Sequence, residues 1–269
     1  MTPVQTRVAE LMGTVASVRV VGDPSEQQRV SEAIDGCLLE LADLEHRFST
    51  YRADSEVSRF RRGEFGLEDA SPLLAEVASA CEDWTHRTGG RFSAWFGGDF
   101  DPTGFVKGWA TERAARRHLA PLCELPGVVA AGISVGGDVQ LFRAPGQQWC
   151  WRIGIADPRR PGAVLATLEL GEGAVATSGL AERGDHLVDP RNGVTATSVL
   201  SATVVADGLT RADVWATAAC IAGDELGWLA EAGTIAGLLV AADGGVRRWA
   251  GTAELVPPSE EFGPSATAA

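Results

Sequence analysis

The stretch VVAAGISVGGDVQLF, residues 128–142, settles the fold class. Two apolar, β-rich runs flank Gly136-Gly137, and a glycine pair supplies the positive φ that a tight turn needs. The reading is a hairpin broken at that pair. Further strands are expected nearby, at about 150–156, 163–170, 173–177 and 198–206. A last hairpin fits GLLVAADGGVRRWA, residues 237–250, turning at Asp243-Gly244. Upstream, residues 12–21 (MGTVASVRVV) read as one more strand. Strands joined so often by hairpins favour an α+β fold, with mostly antiparallel sheets and flanking helices, over a doubly wound one.

The helices are read from apolar spacing. Val30, Ile34, Cys37, Leu38, Leu41 and Leu44 recur at helical intervals, with Asp23 as the expected N-cap, Pro24 at the first position and an end near His46. A second helix should run from Ser71-Pro72 to about Arg87 and stop at Gly89-Gly90. A third should follow Lys107-Gly108, a fourth should cover about 211–222, and a short one should start at Asp224. One domain, or two intimate subdomains, is expected over 1–255. Residues 256–269 are too poor in apolar side chains to pack and are expected to be disordered.

Composition narrows the function. The chain has 269 residues, 45% hydrophobic and 22% charged, enough to build a real core. Its net charge of −13 argues against nucleic acid as the main partner, because that affinity rests on clustered Lys and Arg. A small anionic ligand stays open, since a bound cation or a helix N-terminus reverses the local sign. The five cysteines show no CxxC spacing, which fits a reducing cytosol better than a disulfide framework or a zinc site. The first residues carry no apolar signal core and no run is long enough to span a membrane, so a cytoplasmic location is expected.

No P-loop, GxSxG elbow or HExxH is present. Four short polar islands remain, each with a structural and a functional reading. Asp101-Pro-Thr-Gly104-Phe-Val-Lys107 is either a turn with a helix cap or an anion site. Ile133 to Leu141 is a hairpin turn or a ligand contact. Ala176-Thr-Ser178-Gly179, followed by Asp185-His186-Leu187-Val-Asp189-Pro-Arg-Asn-Gly193, is a strand end and a turn, or a phosphate and proton-transfer site. In RADVWATA, 211–218, Thr210 and Asp213 match capping-box spacing and Thr217 can bond back to a carbonyl. The same i, i+4 geometry would also place a carboxylate and a hydroxyl on one helix face as hard oxygen ligands for Mg²⁺.

Taken in order, these islands resemble the ApbE family, the FAD:protein FMN transferases. Met12-Gly-Thr14, Phe48-Ser-Thr-Tyr51 with Ser55-Glu56, Gly90-Arg-Phe92-Ser93 and Asp101 to Ala110 match in sequence. So do Val135-Gly-Gly-Asp138, Ala176 to Gly179, His186 to Gly193, and Ala212-Asp213-Val-Trp-Ala-Thr217-Ala218. The similarity covers about residues 11–241. Ser93 stands where the family pattern carries an acid, and Asn192 where it carries a threonine. The stretch between FSAW and DPTG is short.

The resemblance implies an ApbE-like fold and an FAD site. Met12 and Tyr51 would lie against the flavin. Arg91, Phe92, Ser93, Asp101 and Lys107 would contact FAD, with Asp138 and Ser178 in the same site. His186 and Leu187 would sit near the diphosphate. Mg²⁺ would be held by the Gly104 carbonyl and the side chains of Asp213 and Thr217. Catalysis would rest on His186 and Asp213, with His186 or a nearby carboxylate taking the acceptor's proton. The implied reaction transfers FMN from FAD to a threonine or serine of an acceptor protein and releases AMP. An FAD pyrophosphatase giving FMN and AMP, or a non-catalytic FAD-binding protein, would use the same site.

Overall fold

The computed structural model describes residues 2–179, 187–223 and 225–254. The disordered tail expected at 256–269 lies outside the described residues, as does Asp224, the expected start of the last short helix.

Hairpins build the framework. β1 (Val4–Leu11) and β2 (Thr14–Gly22) pair with Leu11 opposite Thr14, so Met12-Gly13 forms a two-residue turn. Both turn residues have positive φ, 55° and 69°, as the twist of a tight hairpin demands. This corrects the expected strand at 12–21, because its first two residues are the turn. β1 itself went unread: its side chains alternate between exposed and half-buried, so it carries no apolar run to signal a strand.

β3 (Val128–Val135) and β4 (Asp138–Arg143) form the expected hairpin about Gly136-Gly137. β5 (Trp151–Ala156) and β6 (Val164–Leu170) make a separate two-stranded sheet. β7 (Gly173–Gly179), β8 (Val199–Ala206), β9 (Ala236–Ala241), β10 (Val246–Ala250) and β11 (Ala253–Glu254) complete the main sheet. That sheet runs β1-β2-β3-β4-β7-β8-β9-β10-β11, and every ladder in it is antiparallel. The α+β expectation therefore holds.

Helices cover one face. α1 (Gln27–Phe48) buries Val30, Ile34, Cys37, Leu41, Leu44 and Phe48 at helical spacing. It starts later than expected, since the Asp23 N–H donates to the Gly127 carbonyl and keeps the chain extended past Gly22. α2 (Glu56–Arg61) is short. α3 (Pro72–Arg87) is capped by the Ser71 hydroxyl, which accepts from the Leu74 N–H. α4 (Thr103–Ala114) continues through a π turn at Ala115–Leu119 and a 3₁₀ turn at Ala120–Glu124. α1, α3 and α4 bury their apolar faces against β2 and β3. α5 (Leu209–Ala222) does so against β7, β8 and β9, and α6 (Leu229–Ala232) follows it. On the opposite face, Trp151, Ile153, Leu168 and Leu170 of the β5–β6 hairpin cover Val139, Leu141, Val175 and Val205. The result is three layers: helices, sheet and hairpin.

Two local details place the site. α4 begins at Thr103, before Lys107 rather than after it, with Pro102 at its N-cap; just ahead, the Asp101 carboxylate accepts from the Thr103 N–H at 3.0 Å and the Thr103 hydroxyl at 2.7 Å. That start leaves Lys107 and Gly108 inside the helix. α5 is not closed by the Thr210–Asp213 capping box. Its first amides are satisfied from other elements: Leu209 N–H donates to Gln140 Oε1 at 2.9 Å, and Thr210 N–H to Glu112 Oε2 at 2.8 Å. Asp213 is thereby left with no capping duty.

α4 and α5 touch at Gly108. A Cβ there would stand 2.8 Å from both Cβ and Oδ2 of Asp213, and 3.1 Å from the Leu209 carbonyl oxygen. Helix propensity alone would make Gly108→Ala stabilising by about 1 kcal/mol. Overpacking should reverse that sign and cost about 1–3 kcal/mol, read by chemical denaturation.

Glu112 supplies a pH prediction. Burial would raise its pKa, but the Thr210 N–H and the Arg116 guanidinium offset this and hold it below the ordinary glutamate value. A lowered folded-state pKa contributes stability above the unfolded value, and that stability is lost as pH falls through the folded one. Glu112→Gln should therefore flatten part of the acid-side loss of stability while lowering stability near neutral pH. Melting temperatures measured between about pH 7 and pH 3 check both halves.

Candidate active site

A cleft of about 1000 Å³ opens on the helical side of the sheet. Its walls come from segments spread along the chain. The Met12-Gly13 turn and the end of α1 with Ser49-Thr50-Tyr51 form one side. The loop 91–101 and the first turns of α4 form another. The end of β7 and one face of α5, carrying Asp213, Thr217 and Ile221, form the floor.

Nearly every residue the sequence singled out lines this cleft. Met12, Tyr51, Arg91, Phe92 and Ser93 do so, as do Asp101, Gly104 and Lys107. Ser178, Leu187, Asp213 and Thr217 complete the set. They come from segments up to 205 residues apart in sequence, and the fold brings them to one surface. His186 lies outside the described residues. Asp138 is also set apart: its side chain is buried behind Lys107 and does not line the cleft.

The floor is a charge cluster in a nearly dry corner. The Lys107 ammonium contacts the Asp138 carboxylate and stands 3.5 Å from Asp213 Oδ2. The two carboxylate side chains are 3% and 7% exposed, the lysine 21%. Asp138 Oδ1 also accepts from the Thr177 N–H at 2.9 Å, which ties β4 to β7. Asp213 Oδ2 is buried with no hydrogen-bond partner. A buried carboxylate oxygen without a hydrogen bond is costly, and the Lys107 ammonium at 3.5 Å faces it without donating one. One turn along α5, Thr217 Oγ1 lies 3.0 Å from Ser178 Oγ, so two hydroxyls continue the polar strip. No group of three or more His, Cys, Asp or Glu is placed to hold a metal among the described residues.

The rim is organised by turns and caps. Tyr51, the chain's one tyrosine, is 96% exposed at the cleft edge. Its loop is pinned from below: Ser55 Oγ donates to the Ser49 carbonyl at 2.6 Å while capping α2 through the Ser58 N–H. Glu56 accepts from the backbone and hydroxyl of Ser71 and from Arg47, tying α1, α2 and α3 together. Arg91 donates to the Thr88 carbonyl and to Glu225. Across the rim, the Arg191 guanidinium grips Asp189 and holds that carboxyl below the usual range. Asp101 lines the cleft and also accepts from the first amide of α4.

Sequence reasoning did not find Glu112 or Gln140. They fix the start of the helix that carries Asp213, yet they lie 98 and 69 residues from their partners. No local pattern carries that signal.

Met12 is the only non-glycine residue with positive φ among those described, and it sits on the cleft wall. Such strain costs on the order of 1–3 kcal/mol and gathers at functional sites. No described helix is long and apolar enough to cross a membrane.

Comparison with known proteins agrees with this geometry. The chain is 32% identical to the FAD:protein FMN transferase of Klebsiella pneumoniae over 124 residues, which is 42% of this chain and 35% of that protein. It is 37% identical to the one from Rhodobacter capsulatus over 108 residues, 37% of this chain and 20% of that protein. The chain thus aligns with about a third or less of the length of these relatives. Among solved structures, the ApbE protein of Thermotoga maritima superposes with a TM-score of 0.74 at 22% identity, covering 91% of this chain and 97% of that one. The flavin transferase ApbE of Vibrio cholerae gives 0.73 at 19%, covering 93% and 97%. These two share the fold. The ApbE family model matches residues 12–98 and 97–239, which between them hold the cleft and its charged floor, and the chain belongs to the ApbE family.

Proposed function

We propose that this chain transfers the FMN part of FAD to a threonine or serine hydroxyl of an acceptor protein and releases AMP. The observation that carries this reading is the Asp213 oxygen that accepts no hydrogen bond, buried beside Lys107 at the floor of a cleft of about 1000 Å³. The activity named for the relatives, FAD:protein FMN transfer, supports it.

The donor set suits a hard cation. Asp213 offers a carboxylate, Thr217 a hydroxyl and Gly104 a main-chain carbonyl, all oxygen. Mg²⁺ commonly takes one or two carboxylates and completes its shell with water and substrate phosphates. Bound there, it would supply neutralisation of the charge that builds on the diphosphate.

The chain's own residues do the rest. Tyr51 and Met12 bracket the mouth and present an aromatic ring and a thioether to a flavin ring. Lys107 supplies a positive charge for the diphosphate, and Arg91 a second one on the rim. The acceptor hydroxyl oxygen forms a bond to the FMN-side phosphorus. The phosphorus–oxygen bond to AMP breaks, and AMP leaves with the bridging oxygen. His186, adjacent in sequence to the cleft-lining Leu187, is the base proposed to take the hydroxyl proton.

The test uses the purified chain with FAD, Mg²⁺ and a threonine-bearing flavin-acceptor protein. Intact-mass spectrometry should show the acceptor gain one FMN, with an equal amount of AMP by chromatography, and EDTA should stop both. AMP without a mass gain would mean hydrolysis instead. FAD binding without either product would mean a carrier. Asp213→Asn should lower the transfer rate by about 100-fold or more, as loss of a preorganised charge-stabilising group does. Thr217→Val, which keeps the shape and removes one ligand, should cost less than Asp213→Asn when rates are compared at limiting Mg²⁺.

A further inference from the structure

We propose that Asp138 is a positioning residue that restrains the Lys107 ammonium and so keeps the Asp213 oxygen open to a divalent cation. This rests on the reading of Asp213 as a metal ligand.

Asp138 opens β4, directly after the Gly136-Gly137 turn. One of its carboxylate oxygens accepts from the Thr177 N–H and the other takes the Lys107 ammonium. Its side chain is 3% exposed and does not reach the cleft surface. It therefore acts through Lys107 rather than on a ligand. Lys107 in turn stands 3.5 Å from Asp213 Oδ2, within ion-pair range, yet that oxygen receives no hydrogen bond.

The lysine is thus shared unequally between two carboxylates. Its charge is compact and its stem is flexible, so it follows the stronger counter-ion. The contact with Asp138 holds the ammonium on the β4 side. With the Asp138 carboxylate replaced, Asp213 would be the one ion-pair partner left to Lys107 among the described residues, and the ammonium would move onto the oxygen a metal needs. Lysine and metal would then compete for one atom. Groups outside the ligand shell tune metal affinity in this way, typically by about 10–100-fold.

The charge count points the same way. Two carboxylates and one ammonium leave the pocket at −1. A divalent cation brings it to +1, the sign that attracts a diphosphate. Metal and diphosphate binding should therefore reinforce each other.

Asp138→Asn isolates the effect, because the amide oxygen can still accept from the Thr177 N–H. The probe is Mn²⁺ alone, titrated into the chain and followed by electron paramagnetic resonance, with near-UV circular dichroism to confirm the fold. Wild type should bind Mn²⁺, and Asp138→Asn should bind about 10-fold or more weakly. Adding Lys107→Met to Asp138→Asn should restore most of that loss. Lys107→Met alone should bind at least as tightly as wild type, which tests the competition without touching Asp138. Unchanged affinity in Asp138→Asn overturns the inference. So does a loss that Lys107→Met fails to relieve, since Asp138 would then act through the fold. If wild type binds no Mn²⁺, or Asp213→Asn binds it equally well, the metal reading itself falls and takes this inference with it.

Discussion

How closely α4 and α5 approach each other at Gly108 governs the cleft floor. Without a side chain there, Asp213 packs directly against α4 and comes within 3.5 Å of the Lys107 ammonium. Opposite charges about 4 Å apart interact by roughly 4 kcal/mol at an effective dielectric of 20. That attraction gathers the ammonium and both carboxylates in a corner that water barely reaches. The helix contact, the charge cluster and the site are therefore one constraint. The antiparallel sheet beneath supplies the third wall, since Asp138 on β4 and Thr177 on β7 are joined by one hydrogen bond.

The rim follows a different rule. Short-range caps and turns shape it: Ser55 under the Tyr51 loop, Asp101 at the start of α4, Asp189 clasped by Arg191. Each of these is polar, local and able to keep its geometry while the cleft fills. The floor resists change, and the rim offers an exposed aromatic ring and two arginines at its edge. That division would suit the proposed transfer, with a substrate held on the floor and an acceptor met at the rim.

What could be read from the residues alone follows from range. Hairpins declare themselves in a dozen residues, so β3–β4 and β9–β10 were legible from their glycine turns. Helices α1 and α3 were legible from apolar spacing and from Ser71-Pro72. β1 was not, because an edge strand that packs little has no apolar signature. The α4 boundary was misplaced because the helix starts directly after Pro102, inside the run that reads as a turn. The capping of α5 could not be read at all, since Gln140 and Glu112 are brought to it only by the folded sheet. The site residues were legible as ordered motifs resembling the ApbE family. That Asp138 stands behind Lys107 rather than beside it emerges only from the three-dimensional arrangement.

The borrowed cap on α5 bears on how the site comes into being. A helix whose first amides are satisfied by β4 and α4 cannot finish its N-terminus while those elements are unformed. At 14 residues, most of them buried, it is too short to be stable alone in water even with its alanines. A chain in which β4 or α4 is still unformed therefore leaves the start of α5, and with it the placement of Asp213 and Thr217, unfinished.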